Sequence, residues 1–232
     1  MLGPKPGVIF EYDNSIRLPA MSLKDIYCAR GDVASYADLC ERIGLSPKDC
    51  EHLAEMEKGK RHWKQALAWI EKGLDLEATR NWHNEAAFSL SYMKPEILSH
   101  LGLKEDALAQ AWSEFQEHPT DMRYEEFMRY VPKAERKKWH GQAMEAAKSA
   151  GIGSFMDICV KAKEWTLLAD RVHAATHEEL TAVSHYHTEP AADKLAKRDA
   201  AAAAKVYRAM GFRILNAKKS KYYENALAAC RT

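Results

Sequence analysis

The chain has 232 residues, 47% hydrophobic and 29% charged, a balance that supports a substantial core and excludes a disordered chain. No apolar run approaches the ~20 residues that span a bilayer, and the opening MLGPKPGVIFEYDN lacks the apolar stretch of a secretory signal. Net charge is +1 but uneven: residues 1–116 hold 14 Lys/Arg against 18 Asp/Glu, and the remainder 20 against 15.

The first 20 residues carry Pro4, Pro6 and Pro19 with Gly3 and Gly7, too many breakers for a helix. They are expected to form an irregular lead-in, followed by a single helical-repeat domain over 21–232. Ser22 with Asp25 is placed to open the first helix. Gly31-Asp32 separates it from VASYADLCERIG, which ends at Gly44 as a left-handed cap. Ser46-Pro47 with Asp49 supplies a capping side chain, a proline at the first helical position and an acid in the first turn.

Further along, Trp63, Ala66, Leu67 and Ile70 fall on one helical stripe, as do Leu108, Ala111, Trp112 and Phe115. Pro95 should end a helix near Met93 or kink a longer one. Tyr124, Phe127, Met128 and Val131 repeat the spacing, closed by Pro132. Ser154 with Asp157 is read as the cap of a helix bearing Phe155, Ile158, Cys159 and Ala162. Thr176 with Glu179 opens a short helix, and Glu189-Pro190 starts the longest, running to about Ala217. The closing SKYYENALAACRT sets Tyr223, Ala226, Leu227 and Cys230 at helical spacing. About twelve helices result.

Two of these helices share a pattern, with Ala66-Leu67-Ala68 and Ala107-Leu108-Ala109 set 41 residues apart, and Ala226-Leu227-Ala228 recurs 119 residues further on. A helical period of roughly 35–45 residues is that of stacked hairpin repeats. The fold class expected is all-α, an antiparallel helix-hairpin array forming a tetratricopeptide-like α/α superhelix. An irregular bundle is the competing architecture. In the closing hairpin, Tyr207, Met210, Tyr223 and Leu227 are expected to face inward, with the lysines at 194, 197, 205 and 218 outside.

The segments ARGDVASYADLC, HLAEMEKGKRHWKQALAWIEKG and AAAAKVYRAMGFRILNAKKSKYYENALAAC resemble a bacterial family of uncharacterised helical-repeat proteins. The same helical region occurs in some SWIM-type zinc-finger proteins. The likeness spans about residues 29–230, and its closing motif falls on Tyr207, Arg208, Ala209, Ser220, Lys221, Tyr223 and Ala226. It implies a tetratricopeptide-like superhelix and no established activity. The zinc-binding CxC…CxH arrangement is absent, so no metal function carries over.

Functional signals are sparse. Five cysteines without a CxxC pair argue against a disulfide framework and for a reducing, cytoplasmic setting. His173, His177, His185 and His187 cluster in sequence, but a helix start between the first two and the two-residue step of the last two read as surface histidines rather than a zinc site. The glycine-rich turn AGIGSF into a helix reads as a connection, not a phosphate cradle. No nucleophile motif supports a catalytic set, and no cofactor is implied. Trp63 and Trp112 sit on core stripes. Trp69, off its stripe, reads first as packing against the next repeat and second, with Trp82 and Trp139, as a candidate for contact with a protein or peptide partner. Lys194, Lys197, Arg198, Lys218, Lys219 and Lys221 are the alternative, a phosphate-tracking surface for nucleic acid. A protein-interaction module is therefore the first expectation, nucleic-acid binding the second, and an enzyme with a site in the concave cleft the third.

Overall fold

The computed structural model describes residues 14–80 and 85–216, so Trp82, Lys218, Lys219, Lys221, Tyr223 and Leu227 lie outside the described residues. Among those described there are thirteen α-helices and no strand. They are α1 Asn14–Arg30, α2 Val33–Ile43, α3 Pro47–Gly59, α4 Trp63–Arg80, α5 Glu85–His100, α6 Lys104–Glu117 and α7 Asp121–Tyr130. A short 3-10 turn leads into α8 Arg136–Ala147, and α9 Ile152–Ala162, α10 Trp165–Ala174, α11 His177–Ala182, α12 His185–Leu195 and α13 Ala200–Asn216 follow. Backbone contacts group the chain into two compact units, Met1–Ala111 and Trp112–Thr232, each described by itself. No helix among the described residues is long and apolar enough to cross a membrane.

In the first unit α3, α4 and α5 form the centre. Ala54, Ala66, Ile70, Leu90, Met93 and Ile97 build one core group, and Tyr36, Cys40 and Leu53 a second between α2 and α3. In the second unit α9, α10, α12 and α13 pack around Phe155, Ile158, Leu168, Val172, Leu195 and Val206, all buried.

Four helix-to-helix corners share one geometry. Gly31, Arg61, Gly102 and Lys163 each take positive φ two residues before the next helix begins. At each, the N–H of this residue bonds three residues back and the next N–H bonds five back, as in Asp32 to Tyr27 and Glu164 to Cys159. This is the Schellman closure, which satisfies carbonyls left open at a helix end. Five residues past each corner stand Tyr36, Ala66, Ala107 and Leu168, and nine past stand Cys40, Ile70, Ala111 and Val172, all buried. The corner thus fixes which face of the following helix turns inward. Ala66 and Ala107, noted in sequence for their 41-residue spacing, occupy the same place after their corners.

Several elements differ from expectation. Helix α1 begins at Asn14, inside the stretch expected to be irregular: it includes Pro19, and Ser22 lies inside it, its Oγ donating to the Leu18 carbonyl. Gly44 does cap α2, with its N–H on the Cys40 carbonyl, but at φ 102 and ψ 127 rather than the left-handed helical conformation. Pro95 lies within α5, which runs through it. Helix α9 starts at Ile152 from Gly151, so Ser154 and Asp157 are interior residues and not a cap. The expected long final helix is two helices. Pro190 sits inside α12, the chain breaks after Leu195, and Asp199 opens α13 by accepting from the Ala202 N–H. The starts at Ser46 and Thr176 are as read, each with a full capping box.

Candidate functional site

Each unit holds a knot of hydrogen-bonded polar side chains built on a tyrosine and a histidine. In the first, Asp49 has just served the N-terminus of α3, exchanging bonds with the backbone and hydroxyl of Ser46 through Oδ2. Its Oδ1 accepts from Lys24 Nζ of α1 at 2.6 Å and from Tyr36 Oη of α2 at 2.9 Å. Tyr36 Oη also lies 3.0 Å from His52 Nδ1, one turn along α3. Tyr36 is 1% exposed and Asp49 4%, so hydroxyl and carboxylate face each other rather than solvent. Burial acts to raise the Asp49 pKa, but the bonds from Lys24 and Ser46 win and hold it below the usual carboxylate value. Burial, then the Asp49 charge, pushes the Tyr36 hydroxyl up.

In the second unit Tyr124 Oη of α7 lies 2.9 Å from Nδ1 of His140 on α8, and His140 Nε2 lies 2.7 Å from Glu164 Oε1. Glu164 is the residue before α10, immediately after the corner at Lys163. Burial first, and then the Glu164 charge, raises the Tyr124 pKa.

The knots are related by a fixed step. Asp32 caps α2 by accepting from the Ser35 N–H, and 88 residues later Thr120 caps α7 by accepting from the Arg123 N–H. The step from Tyr36 to Tyr124 and from His52 to His140 is the same, and the rings meet edge-on with centroids 6.1 Å apart in both. Between 32–59 and 120–147 only four aligned positions are identical, and the bonded Tyr and His are two of them. Their acids differ. The counterpart of Asp49 is Lys137, and the counterpart of Glu164 is Leu76. No short motif announces a Tyr and a His 16 residues apart, so nothing in the sequence pattern joins them.

The residues singled out from sequence are placed separately. Trp69 is half-buried and touches both core groups of the first unit, with Lys72 Nζ 5.0 Å from its ring centroid. Trp139 packs edge-on to Trp112 and Phe127 and donates to Glu135. Lys194 and Lys197 are exposed, whereas the Arg198 guanidinium lies 4.3 Å from the Trp165 ring centroid and donates to the Lys194 carbonyl. Lys205, expected outside, is a correction. Its Nζ bonds the carbonyls of His173 and Ala175, because the end of α10 leaves acceptors open beside α13.

The four clustered histidines go to different partners. His173 pairs with Asp199, His187 with Asp157, His177 with Thr181 and the Phe212 ring, and His185 with the Tyr186 ring. Gly153 makes the second of these possible: a Cβ there would come 3.0 Å from the His187 ring. Among the described residues no group of His, Cys, Asp and Glu could hold a metal ion. Burial raises the described cysteine thiols, to about 12 for Cys40 and Cys159 and about 11 for Cys50, which keeps them protonated and poorly nucleophilic.

A model for a family of unknown function, DUF6880, matches residues 14–231, a span that takes in every described residue. The chain belongs to that family. No curated protein and no solved structure matches it. Family membership therefore brings no activity with it, and any functional reading stands on the two knots and the surface around them.

Proposed function

We propose that the chain is a non-enzymatic protein-interaction module. In this reading its hairpins wind into a tetratricopeptide-like superhelix, kin to the helical region of SWIM-type proteins, that works in the bacterial cytoplasm. The recurrence of one corner geometry at Gly31, Arg61, Gly102 and Lys163 supports the repeat architecture, because such corners pack each new helix against its predecessor.

One observation carries the functional reading. The tyrosine and histidine side chains of the two knots are engaged in bonds between helices, while large apolar side chains stand on the surface. Leu18, Met21, Leu23 and Ile26 of α1 are 66%, 53%, 39% and 45% exposed. Exposed apolar side chains gathered on one helix suit contact with another polypeptide.

The test is site-specific photocrosslinking in cells. A photoreactive residue at Met21 should give discrete protein adducts, and one at the exposed, charged Glu105 should not. If neither position yields adducts while a small molecule raises the melting temperature of the purified protein, the reading fails.

The second reading, nucleic-acid binding through Lys194, Lys197 and the basic residues after them, draws on the exposure of those two lysines and on the charge asymmetry. Binding of this kind falls steeply with salt. It is abandoned if labelled oligonucleotides show no mobility shift at about 50 mM salt.

A further inference from the structure

We infer that the outward face of α1 docks a basic amphipathic helix of a partner polypeptide, with Asp25 receiving one of its lysines or arginines. The inference rests on the interaction-module reading and names the partner's chemistry at the face that carries it.

The inward face of α1 is fixed by its contacts. Ala20 is buried, Lys24 Nζ reaches Asp49 and stands 5.9 Å from the Tyr36 ring centroid, and Tyr27 packs on the core group of Tyr36, Cys40 and Leu53. Positions 20, 24 and 27 share one side of a helix, so the opposite side turns away from the unit. Leu18, Met21 and Asp25 occupy that outward stripe at i, i+3 and i+7, with Ile26 beside it, and all four are exposed.

Carboxylates collect at one end of this face. The half-buried thiol of Cys28, three residues beyond Asp25, is pushed up by burial and then by the charges of Asp25, Glu55 and Asp49. Asp49 is bonded to Lys24 and Tyr36, whereas Asp25 and Glu55 are exposed. Basic groups of these helices and their corners are turned to other work: Lys24 to Asp49, Lys60 to the Gly31 carbonyl and Arg42 to Asp38. Arg30 stands at the last turn of α1, beyond the apolar stripe. The first 116 residues carry 14 Lys/Arg against 18 Asp/Glu, so the wider field has the same sign as Asp25.

The occupant follows from these two features. Apolar side chains are needed to cover Leu18, Met21 and Ile26, and a cation to meet the carboxylate on the same stripe. An acidic helix would be repelled. Among the described residues no strand offers an edge to an extended peptide, and the ridge on α1 has the spacing that a second helix packs against.

The experiment titrates the purified full chain with three synthetic peptides. One is a helix with leucines on a single stripe and lysines elsewhere, one has glutamates in place of the lysines, and one reorders the lysine peptide so that the stripe is broken. The lysine helix should bind, and less tightly as salt is raised, because exposed charges are screened. The other two should bind at least about ten-fold more weakly. Asp25→Lys should weaken the lysine helix about ten-fold, while Glu105→Lys, the same charge change at another exposed acid, should not. The comparison among peptides needs no change to the protein, so it stands even if Asp25→Lys lowers stability. A lysine helix that fails to bind, equal binding of either other peptide, or indifference to Asp25→Lys overturns the inference. In cells, adducts at Met21 should map to helical segments rich in lysine or arginine and be lost in Asp25→Lys. Adducts that map to an acidic segment or to another copy of this chain, or that persist in Asp25→Lys, sink this inference and leave the interaction-module reading standing. No adducts at Met21 removes both.

Discussion

Gly73 lies so close to Leu90 that a Cβ added to it would stand 2.5 Å from Leu90 Cδ1, and 2.8 Å from Cys50 Cβ. The glycine lets α4 settle against α3 and α5 at the centre of the first unit. Leu90 could turn aside, but Cys50 Cβ is fixed to the α3 backbone, so the helices themselves would have to part.

Gly73→Ala is therefore a contest of two effects. Alanine favours a helix interior by about 1 kcal/mol over glycine. Overpacking a close-packed core costs about 1–3 kcal/mol, and here the obstructing atom cannot move alone. We expect a net loss of about 1–2 kcal/mol, read as a lowered urea midpoint with unchanged slope. A variant more stable than the parent would show that α3 and α4 are not pressed together at this point.

Asp49 should give the first unit an acid-sensitive stability. Its pKa is depressed in the fold, so its contribution is present above the unfolded value of about 4 and is lost as the pH falls through the folded value. Asp49→Asn removes the charge that Lys24 and Tyr36 share. A cost of about 3 kcal/mol at neutral pH is expected, as for a broken buried pair. Stability measured from about pH 6 down to about pH 2 should fall less steeply in the variant than in the parent. Parallel pH profiles would remove Asp49 from the list of groups that matter.

Arg61 and Lys163 occupy left-handed corners at φ 61 and 62, where Gly31 and Gly102 stand in the other two. A side chain in that conformation costs about 1–2 kcal/mol. Replacing either by glycine relieves this strain, partly offset by the greater freedom glycine has when unfolded. Arg61→Gly and Lys163→Gly should each raise stability by about 0.5–1 kcal/mol in thermal or urea melts. A loss of stability would mean that these side chains make contacts worth more than the strain.

If the two knots are equivalent ties, double-mutant cycles should report similar coupling in both. Tyr36→Phe with His52→Gln, and Tyr124→Phe with His140→Gln, should each give about 1 kcal/mol, the net worth of a hydrogen bond. Coupling confined to one pair would show that the 88-residue correspondence is geometric only.

What the sequence determined by itself was local. The starts at Ser46 and Thr176 were legible because a capping box is made by side chains three residues apart. The helical stripes were legible for the same reason, and the burial of Ala66, Ile70, Ala111, Phe115 and Phe127 follows them. The tertiary structure decided whatever depended on a distant partner. Ser154 and Asp157 had the spacing of a cap, yet Asp157 turns to His187, which Gly153 admits thirty residues away in sequence. The break between α12 and α13 was hidden in Ala196-Lys197-Arg198, residues that favour helix and lead into five alanines, with only Asp199 to mark it. Lys205 read as a solvated lysine until the end of α10 was seen to need its ammonium. The Tyr and His of each knot stand 16 residues apart on separate helices. A hydrogen bond across that gap exists only after each corner has turned its helix. Helix spacing governs a face, but the angle between two faces is set by packing, and packing is a property of the assembled chain.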